Sequence, residues 1–98
     1  MNWIKVPGSN KRHKVKIFTI SHCIPCNKTK MFLEQNFIEY EYLNIDKANP
    51  EGRKEAMIEI GEYLPTMGVT LAYPIIIVDE LSAIIGFDKW KLSKILEL

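Results

Sequence analysis

The sequence predicts one α/β domain in which helices flank a mixed four-stranded sheet, with the element order β-α-β-α-β-β-α. Two apolar, β-branched runs, at 14–20 and 74–79, have the composition of strands that are buried on both faces. A helical stretch between the first two strands requires a parallel pair joined by a crossover helix. A tight turn at Asp79-Glu80 closes the second half as an antiparallel hairpin.

The composition is typical of a folded domain. The chain has 98 residues, of which 47% are hydrophobic and 26% charged. No apolar run approaches the ~18–20 residues that a membrane span needs, and the first residues lack the apolar stretch of a signal peptide. We therefore expect a single cytoplasmic domain over 1–98 with no membrane partner. In that compartment two close cysteines are typical of catalysis or metal binding rather than of a structural staple.

The first half of the chain predicts two strands that are each followed by a helix. The strand at 14–20 leads into a helix at 24–35. The strand at 39–45 alternates glutamate with tyrosine, and the helix after it begins at Asn49 and Pro50, which are favourable at the N-cap and in the first turn. Residues 1–13 are an N-terminal extension that can add a short edge strand.

The second half predicts a hairpin and a last helix. The strand at 74–79 pairs with a strand at 81–85, and Asp88 is the expected N-cap of the helix that follows. The apolar side of that helix is predicted to hold four residues: Trp90, Leu92, Ile95 and Leu96.

The only two cysteines, Cys23 and Cys26, stand at the first strand-to-helix junction. A Cys-x-x-Cys pair in a β-α-β setting is typical of thiol–disulfide exchange. At the N-cap, unpaired N–H groups and the helix dipole favour a thiolate, so Cys23 is the predicted nucleophile. Cys26 lies nearly one turn further, within bonding reach, and is the predicted resolving residue. Pro25 has no N–H to offer the sulfur, which favours a moderate rather than an extreme thiolate shift.

The charge is strongly asymmetric along the chain. Residues 1–30 carry seven basic side chains and no acid, whereas 31–98 carry all 12 acids, for a net charge of +1 overall. The cysteines lie in the basic third, where positive charge can stabilise a thiolate and steer an acidic partner.

Together these motifs make the chain resemble a glutaredoxin-like protein of the thioredoxin superfamily over about 14–98. The resemblance is carried by Lys16–Cys26, Asn44-Ile45-Asp46, Tyr73–Ile77 and Ile85–Asp88. It implies a thioredoxin-like fold, a cis bond before Pro74, and a disulfide reductase acting on proteins or small molecules. The residues that it places around the substrate are Ile24, Pro25, Tyr73, Pro74, Gly86, Phe87 and Asp88, with Lys16 nearby.

The chain departs from glutathione-using glutaredoxins in two places. Those proteins usually carry Thr-Val-Pro before the third strand and a Gly-Gly pair before the last helix, where this chain has Ala72-Tyr73-Pro74 and Ile85-Gly86-Phe87. The bulky Tyr73 would crowd the glutathione groove, so glutathione is not the expected donor. The resemblance then implies a monomer with no cofactor beyond its own disulfide, reduced by a thioredoxin-reductase-type or ferredoxin-linked enzyme. Residues 62–72 also look longer than the usual loop.

Three other classes of protein stay open as alternatives. A zinc site would draw on His13, His22, Cys23 and Cys26, but His13 is predicted at the opposite end from the cysteines. A shared iron–sulfur cluster usually accompanies glutathione and a less obstructed cysteine loop. A non-redox adaptor has no need of an intact Cys-x-x-Cys.

Nucleic-acid binding is not expected, because the net charge is near neutral and there is no clear aromatic platform.

Overall fold

The computed structural model describes residues 3–64 and 72–98. Within these residues it contains five strands and three helices, in the predicted order. The strands are β1 (Ile4–Val6), β2 (Val15–Thr19), β3 (Tyr40–Asn44), β4 (Ile75–Val78) and β5 (Ser82–Ile85). The helices are α1 (Ile24–Gln35), α2 (Pro50–Tyr63) and α3 (Lys89–Ile95). β1 confirms the short edge strand expected in the N-terminal extension, and Ile45–Lys47 add a 3₁₀ turn after β3 that the sequence did not predict.

The five strands form one mixed sheet in the order β1-β3-β2-β4-β5. The β2–β3 pair is parallel, and the other three pairs are antiparallel. Ile17 at the centre of β2 lies opposite Tyr42 on one side and Ile76 on the other. The sheet and helices have the thioredoxin-like arrangement that the sequence predicts.

The sheet separates the core into two clusters, and the central strand β2 contributes to both because its successive side chains point to opposite faces. Val15 and Ile17 face α1 and α3, whereas Phe18 faces α2. The first cluster includes Phe32, Leu33, Leu92 and Leu96 from the two helices. The second includes Ala56 and Ile60 of α2. Helices therefore cover both sheet faces, as a sheet with buried central strands requires.

Trp90 is the clear exception to the predicted burial pattern. It is 87% exposed, whereas Leu92 and Leu96 are buried and Ile95 packs against the first cluster. Leu92 and Leu96 lie one turn apart, but Trp90 lies about 200° around the helix from Leu92 and therefore points away from the sheet. The prediction that Trp90 belongs to the apolar side of α3 was wrong.

The N-terminal extension folds against the edge of the sheet. β1 pairs with β3, and the Trp3 ring meets the Phe18 ring edge-on with 5.0 Å between centroids. Asn10 exchanges backbone hydrogen bonds with the chain around Ile38, accepting from Glu39 N at 3.0 Å. The extension thus contributes both sheet pairing and core packing.

Most of the segment at 62–72, for which the sequence predicts a long loop, lies outside the described residues. Where the structure does describe the chain, it contains no helix with the length and apolarity of a membrane span.

Gly8 should be intolerant of any side chain. A Cβ placed there would lie 2.5 Å from Phe37 O and 2.6 Å from Glu39 N, and both are backbone atoms. Gly8→Ala should therefore lower the free energy of unfolding by about 2 kcal/mol in urea titrations. Gly61→Ala is the matched control, because a Cβ at Gly61 meets nothing within 4 Å. That helical position should gain about 0.5–1 kcal/mol. Equal shifts for the two variants would contradict this account of Gly8.

Candidate active site

The two cysteines are joined as a disulfide at the start of α1, with their Cα atoms 5.2 Å apart. Cys23 is the N-cap residue and has extended backbone geometry, as predicted. Its sulfur accepts a hydrogen bond from Cys26 N at 3.2 Å. One of the N–H groups left unpaired at a helix start is therefore directed at the Cys23 sulfur.

The two sulfur-bearing residues differ in their accessibility. Cys23 retains 8% of its surface and Cys26 only 1%. Cys23, the predicted nucleophile, is therefore the more accessible of the two cysteines. The neighbouring Ile24 is 71% exposed, and Pro25 is exposed as well, so the first turn of α1 faces solvent between the cysteines.

The segment before β4 lies against the cysteine pair. The Tyr73-Pro74 peptide bond is cis, as expected, and Tyr73 O lies 3.9 Å from the Cys23 sulfur. Because the sulfur is oxidised and carries no hydrogen, this is a contact rather than a hydrogen bond. The Tyr73 ring packs against the α2-side cluster, and burial raises the pKa of its hydroxyl.

The segment before α3 joins the same site through Pro74. Gly86 N donates to Pro74 O at 2.8 Å, and the Phe87 ring lies 6.1 Å from the Phe32 ring of α1. Asp88 caps α3 by accepting from Lys91 N at 3.0 Å. Gly86 is needed for its positive φ of 80° and not for close packing, since a Cβ there would meet nothing within 4 Å.

Lys16, predicted near the site, lies on the α2 side of the sheet. Its ammonium group is 2.7 Å from Glu59 of α2 and 4.6 Å from the centre of the Trp3 ring. The side chain is only 15% exposed, so its charge is engaged by these two partners. The cysteines instead begin α1, which packs on the opposite face of the sheet.

Asp46 is a site neighbour to which the sequence analysis assigned no role. Its carboxylate accepts from Ser21 N at 3.0 Å and so ties the turn before Cys23 to the end of β3. Within that turn His22 is exposed and has a positive φ of 55°. A sequence signal for this contact exists, because β2 and β3 are parallel and their carboxyl ends meet at one sheet edge.

The candidate zinc ligands are not brought together. His13 Nδ1 lies 2.6 Å from Asp79 Oδ2. Asp79 follows the last residue of β4, whereas Pro74, beside the cysteines, precedes its first residue. Across 3–64 and 72–98, no group of three or more His, Cys, Asp or Glu side chains is arranged to hold a metal ion.

Comparisons with known proteins agree with this geometry. The sequence profile of the Glutaredoxin family matches residues 15–81. Among solved structures, the glutaredoxin from Methanosarcina mazei Go1 is 26% identical with a TM-score of 0.82, and the match covers 98% of this chain and 88% of that one. The methanoredoxin from Methanosarcina acetivorans is 25% identical with a TM-score of 0.77, over 90% and 88% of the two chains. No curated protein sequence matches the chain significantly.

A third structure supports the fold alone. The glutaredoxin from Archaeoglobus fulgidus is 21% identical, with a TM-score of 0.71 over 87% of each chain.

The fold and the cysteine pair define a thioredoxin-fold protein with a Cys-x-x-Cys disulfide at the start of its first long helix. The family profile covers more than half of the sequence, so the chain belongs to the glutaredoxin family. This membership and the linked cysteines support thiol–disulfide oxidoreductase chemistry in general terms.

The charge on Asp46 should stabilise the turn before Cys23 in a pH-dependent way. Desolvation acts to raise the pKa of this carboxyl, but hydrogen bonding with Ser21 outweighs it, so the pKa lies below the ordinary 3.8. A lowered folded pKa stabilises the fold above the unfolded pKa, and the effect is lost as pH falls through the folded value. Asp46→Asn should therefore melt below the parent at pH 7, and the two melting temperatures should converge as the pH falls below 3.8 and Asp46 becomes protonated. A difference that stays constant with pH would contradict this assignment.

Proposed function

We propose that this protein is a dithiol reductase that passes two electrons from Cys23 and Cys26 to disulfides of proteins or small molecules. The observation that carries the proposal is the position of Cys23. Its sulfur lies at the N-cap of α1, is the less buried of the pair, and contacts the cis-Pro74 segment. In the oxidised form described here, the cysteine pair has already given up its two electrons.

The first step forms a mixed disulfide. The Cys23 thiolate attacks one sulfur of the substrate, so a Cys23–substrate S–S bond forms while the substrate S–S bond breaks. The departing substrate sulfur leaves as a thiolate and takes up a proton. In the second step the Cys26 thiolate attacks the Cys23 sulfur, which forms the Cys23–Cys26 disulfide. The other substrate sulfur then leaves and is protonated, and the substrate is released as a dithiol.

The surroundings of Cys23 favour its thiolate. In the reduced state the Cys26 N–H, now 3.2 Å from the sulfur, can donate to a negative charge there. The partial positive charge at the start of α1 acts in the same direction. Lys28, just over one turn further along α1, is exposed, and the first turn contains no acid. These features support attack by Cys23 rather than by Cys26.

The segment around Pro74 supports a backbone-directed mode of substrate binding. Pro74 itself is buried, and Tyr73 O lies beside the attacking sulfur. A substrate lying extended along Tyr73 and Pro74, with Ile24 and Pro25 on one side and Phe87 on the other, would present its disulfide to Cys23. Two hydrogen bonds hold the segment around Phe87 in place: Gly86 N donates to Pro74 O, and Asp88 accepts from Lys91 N.

For the electron donor we propose a reductase of the thioredoxin-reductase or ferredoxin-linked type, which returns two electrons to the Cys23–Cys26 disulfide. Tyr73 and the single Gly86 argue against glutathione as the main donor. We further propose that the protein works as a monomer in a reducing compartment such as the cytoplasm, where the dithiol form is maintained.

Replacing each cysteine should have a distinct effect. Cys23→Ser should lower the rate of disulfide reduction by at least about two orders of magnitude, as loss of a nucleophile does in other enzymes. Cys26→Ser should instead accumulate a mixed disulfide on Cys23, detectable by intact-mass spectrometry and reversed by dithiothreitol. Asn27→Ala, at an exposed position of α1 next to Cys26, serves as a control for substitution beside the cysteine pair. Parent-like rates of insulin disulfide reduction by Cys23→Ser would refute the proposed function.

The donor can be tested through the size of Tyr73. With glutathione and its reductase, turnover should be weak in the parent and should rise in Tyr73→Val, because a smaller side chain opens the groove. Tyr63→Val is the matched control, since Tyr63 packs against the same core cluster from α2. Strong parent turnover with glutathione, equal to that with a thioredoxin-reductase-type donor, would overturn the donor proposal.

A further inference from the structure

The two helices that border the redox site begin at the same edge of the molecule. β2 and β5 run in the same direction, because each is antiparallel to β4. α1 follows β2 and α3 follows β5, so both helices start where Cys23 lies. Both pack into the same core cluster, on one face of the sheet. Their outer surfaces therefore form one continuous face beside the cysteine pair, which we call the α1–α3 face.

The α1–α3 face is basic. Four exposed lysines lie on it: Lys28, Lys89, Lys91 and Lys94. Within the described part of the chain none of these four lysines forms an ion pair. Lys5, Lys14 and Lys16 are each paired with a glutamate.

The acidic groups nearest to this face are already engaged. Asp88 caps α3, Glu34 accepts from Tyr40 OH at 3.1 Å, and Glu97 lies 3.7 Å from Arg12. Lys89 and Lys91 stand in the first turn of α3, where the helix dipole makes positive charge unfavourable. The stability of the helix therefore does not explain these two charges.

An apolar element accompanies the positive charge. Trp90 is 87% exposed between Lys89 and Lys91, and Ile24 is 71% exposed beside Cys23. A tryptophan this exposed loses most of the apolar burial that its side chain can provide. Tryptophan is enriched among the contact residues of protein interfaces and among those that contribute most to binding.

We propose that the α1–α3 face docks an acidic segment of the protein whose disulfide Cys23 reduces, with Trp90 as its main apolar contact. The inference rests on the proposed function and adds the class of partner. We infer an acidic partner because the α1–α3 face carries four ammonium groups that form no ion pair within the described residues. α2, on the opposite side of the sheet, instead carries Glu51, Glu55, Glu59 and Glu62 against Arg53 and Lys54. An acidic partner is thus drawn to the side that bears the cysteines and repelled from the other.

The test compares two disulfide peptides of equal length, one with aspartates flanking the disulfide and one with serines. At low salt, Lys89→Gln/Lys91→Gln and Trp90→Ala should each lower kcat/KM for the acidic peptide about tenfold, through KM. For the serine peptide the change should be less than about twofold. The loss in the lysine variant should shrink as salt is added.

The matched controls carry the same substitutions elsewhere on the surface. Lys11→Gln/Lys54→Gln removes two exposed lysines, and Leu81→Ala removes a side chain that is 84% exposed at the far turn. Both controls should retain the parent preference for the acidic peptide. Equal losses in controls and test variants, or equal losses on both peptides, would overturn the docking site.

A binding measurement separates this inference from the proposed function. A fluorescent acidic peptide without cysteine should bind the Cys23→Ser protein, and Trp90→Ala should weaken that binding about tenfold in anisotropy titrations. If Trp90→Ala weakens this binding while the parent protein, with both cysteines present, reduces no disulfide, the docking site stands and the proposed function fails. If disulfides are reduced but Trp90→Ala leaves binding unchanged, the docking site fails alone. An oligonucleotide of equal charge that bound as tightly would show a general polyanion surface and overturn the proposal.

Discussion

The parallel pairing of β2 with β3 is the constraint on which the site depends. A parallel pair needs a crossover, so α1 must start at the edge where β2 ends, and its N-cap residue Cys23 lies there. β3 ends at the same edge, which brings Asp46 to Ser21. β4 runs the other way and begins there, so Pro74 meets the cysteines, and β5 returns to add Gly86. Four segments distant in sequence thus meet at one edge.

The basic residues that lie close to the cysteines in the sequence are not the ones that leave unpaired charge near them in the structure. Residues 1–30 hold seven of the 13 lysines and arginines, yet Lys5, Lys14 and Lys16 are paired with glutamates from later elements. Positive charge that stays unpaired beside the redox site comes from Lys28 and from α3, at the other end of the chain. The clustering of basic residues in the sequence therefore predicted only part of the basic surface near the cysteines. The rest depends on ion pairing, and ion pairing depends on which strands and helices are neighbours.

Local rules predicted the elements well. The start and end of α1, the caps Asn49 and Asp88, and the turn at Asp79-Glu80 all follow from short-range chemistry and all appear in the structure. The errors concern tertiary neighbours. Trp90 was assigned to the apolar side of α3, but helix phase relative to the sheet decides its exposure.

The sequence by itself determined the strands and helices, their caps, and the position of the cysteine pair at the start of α1. These features depend on spacing, caps and residue type, which act over a few residues. The cis bond before Pro74 was expected from the family resemblance. Only the tertiary structure decided that Lys16 is held by Glu59 and Trp3, that Asp46 holds the turn before Cys23, and that Trp90 stands among unpaired lysines. Those outcomes depend on contacts between residues far apart in the chain, and local propensity carries no information about them.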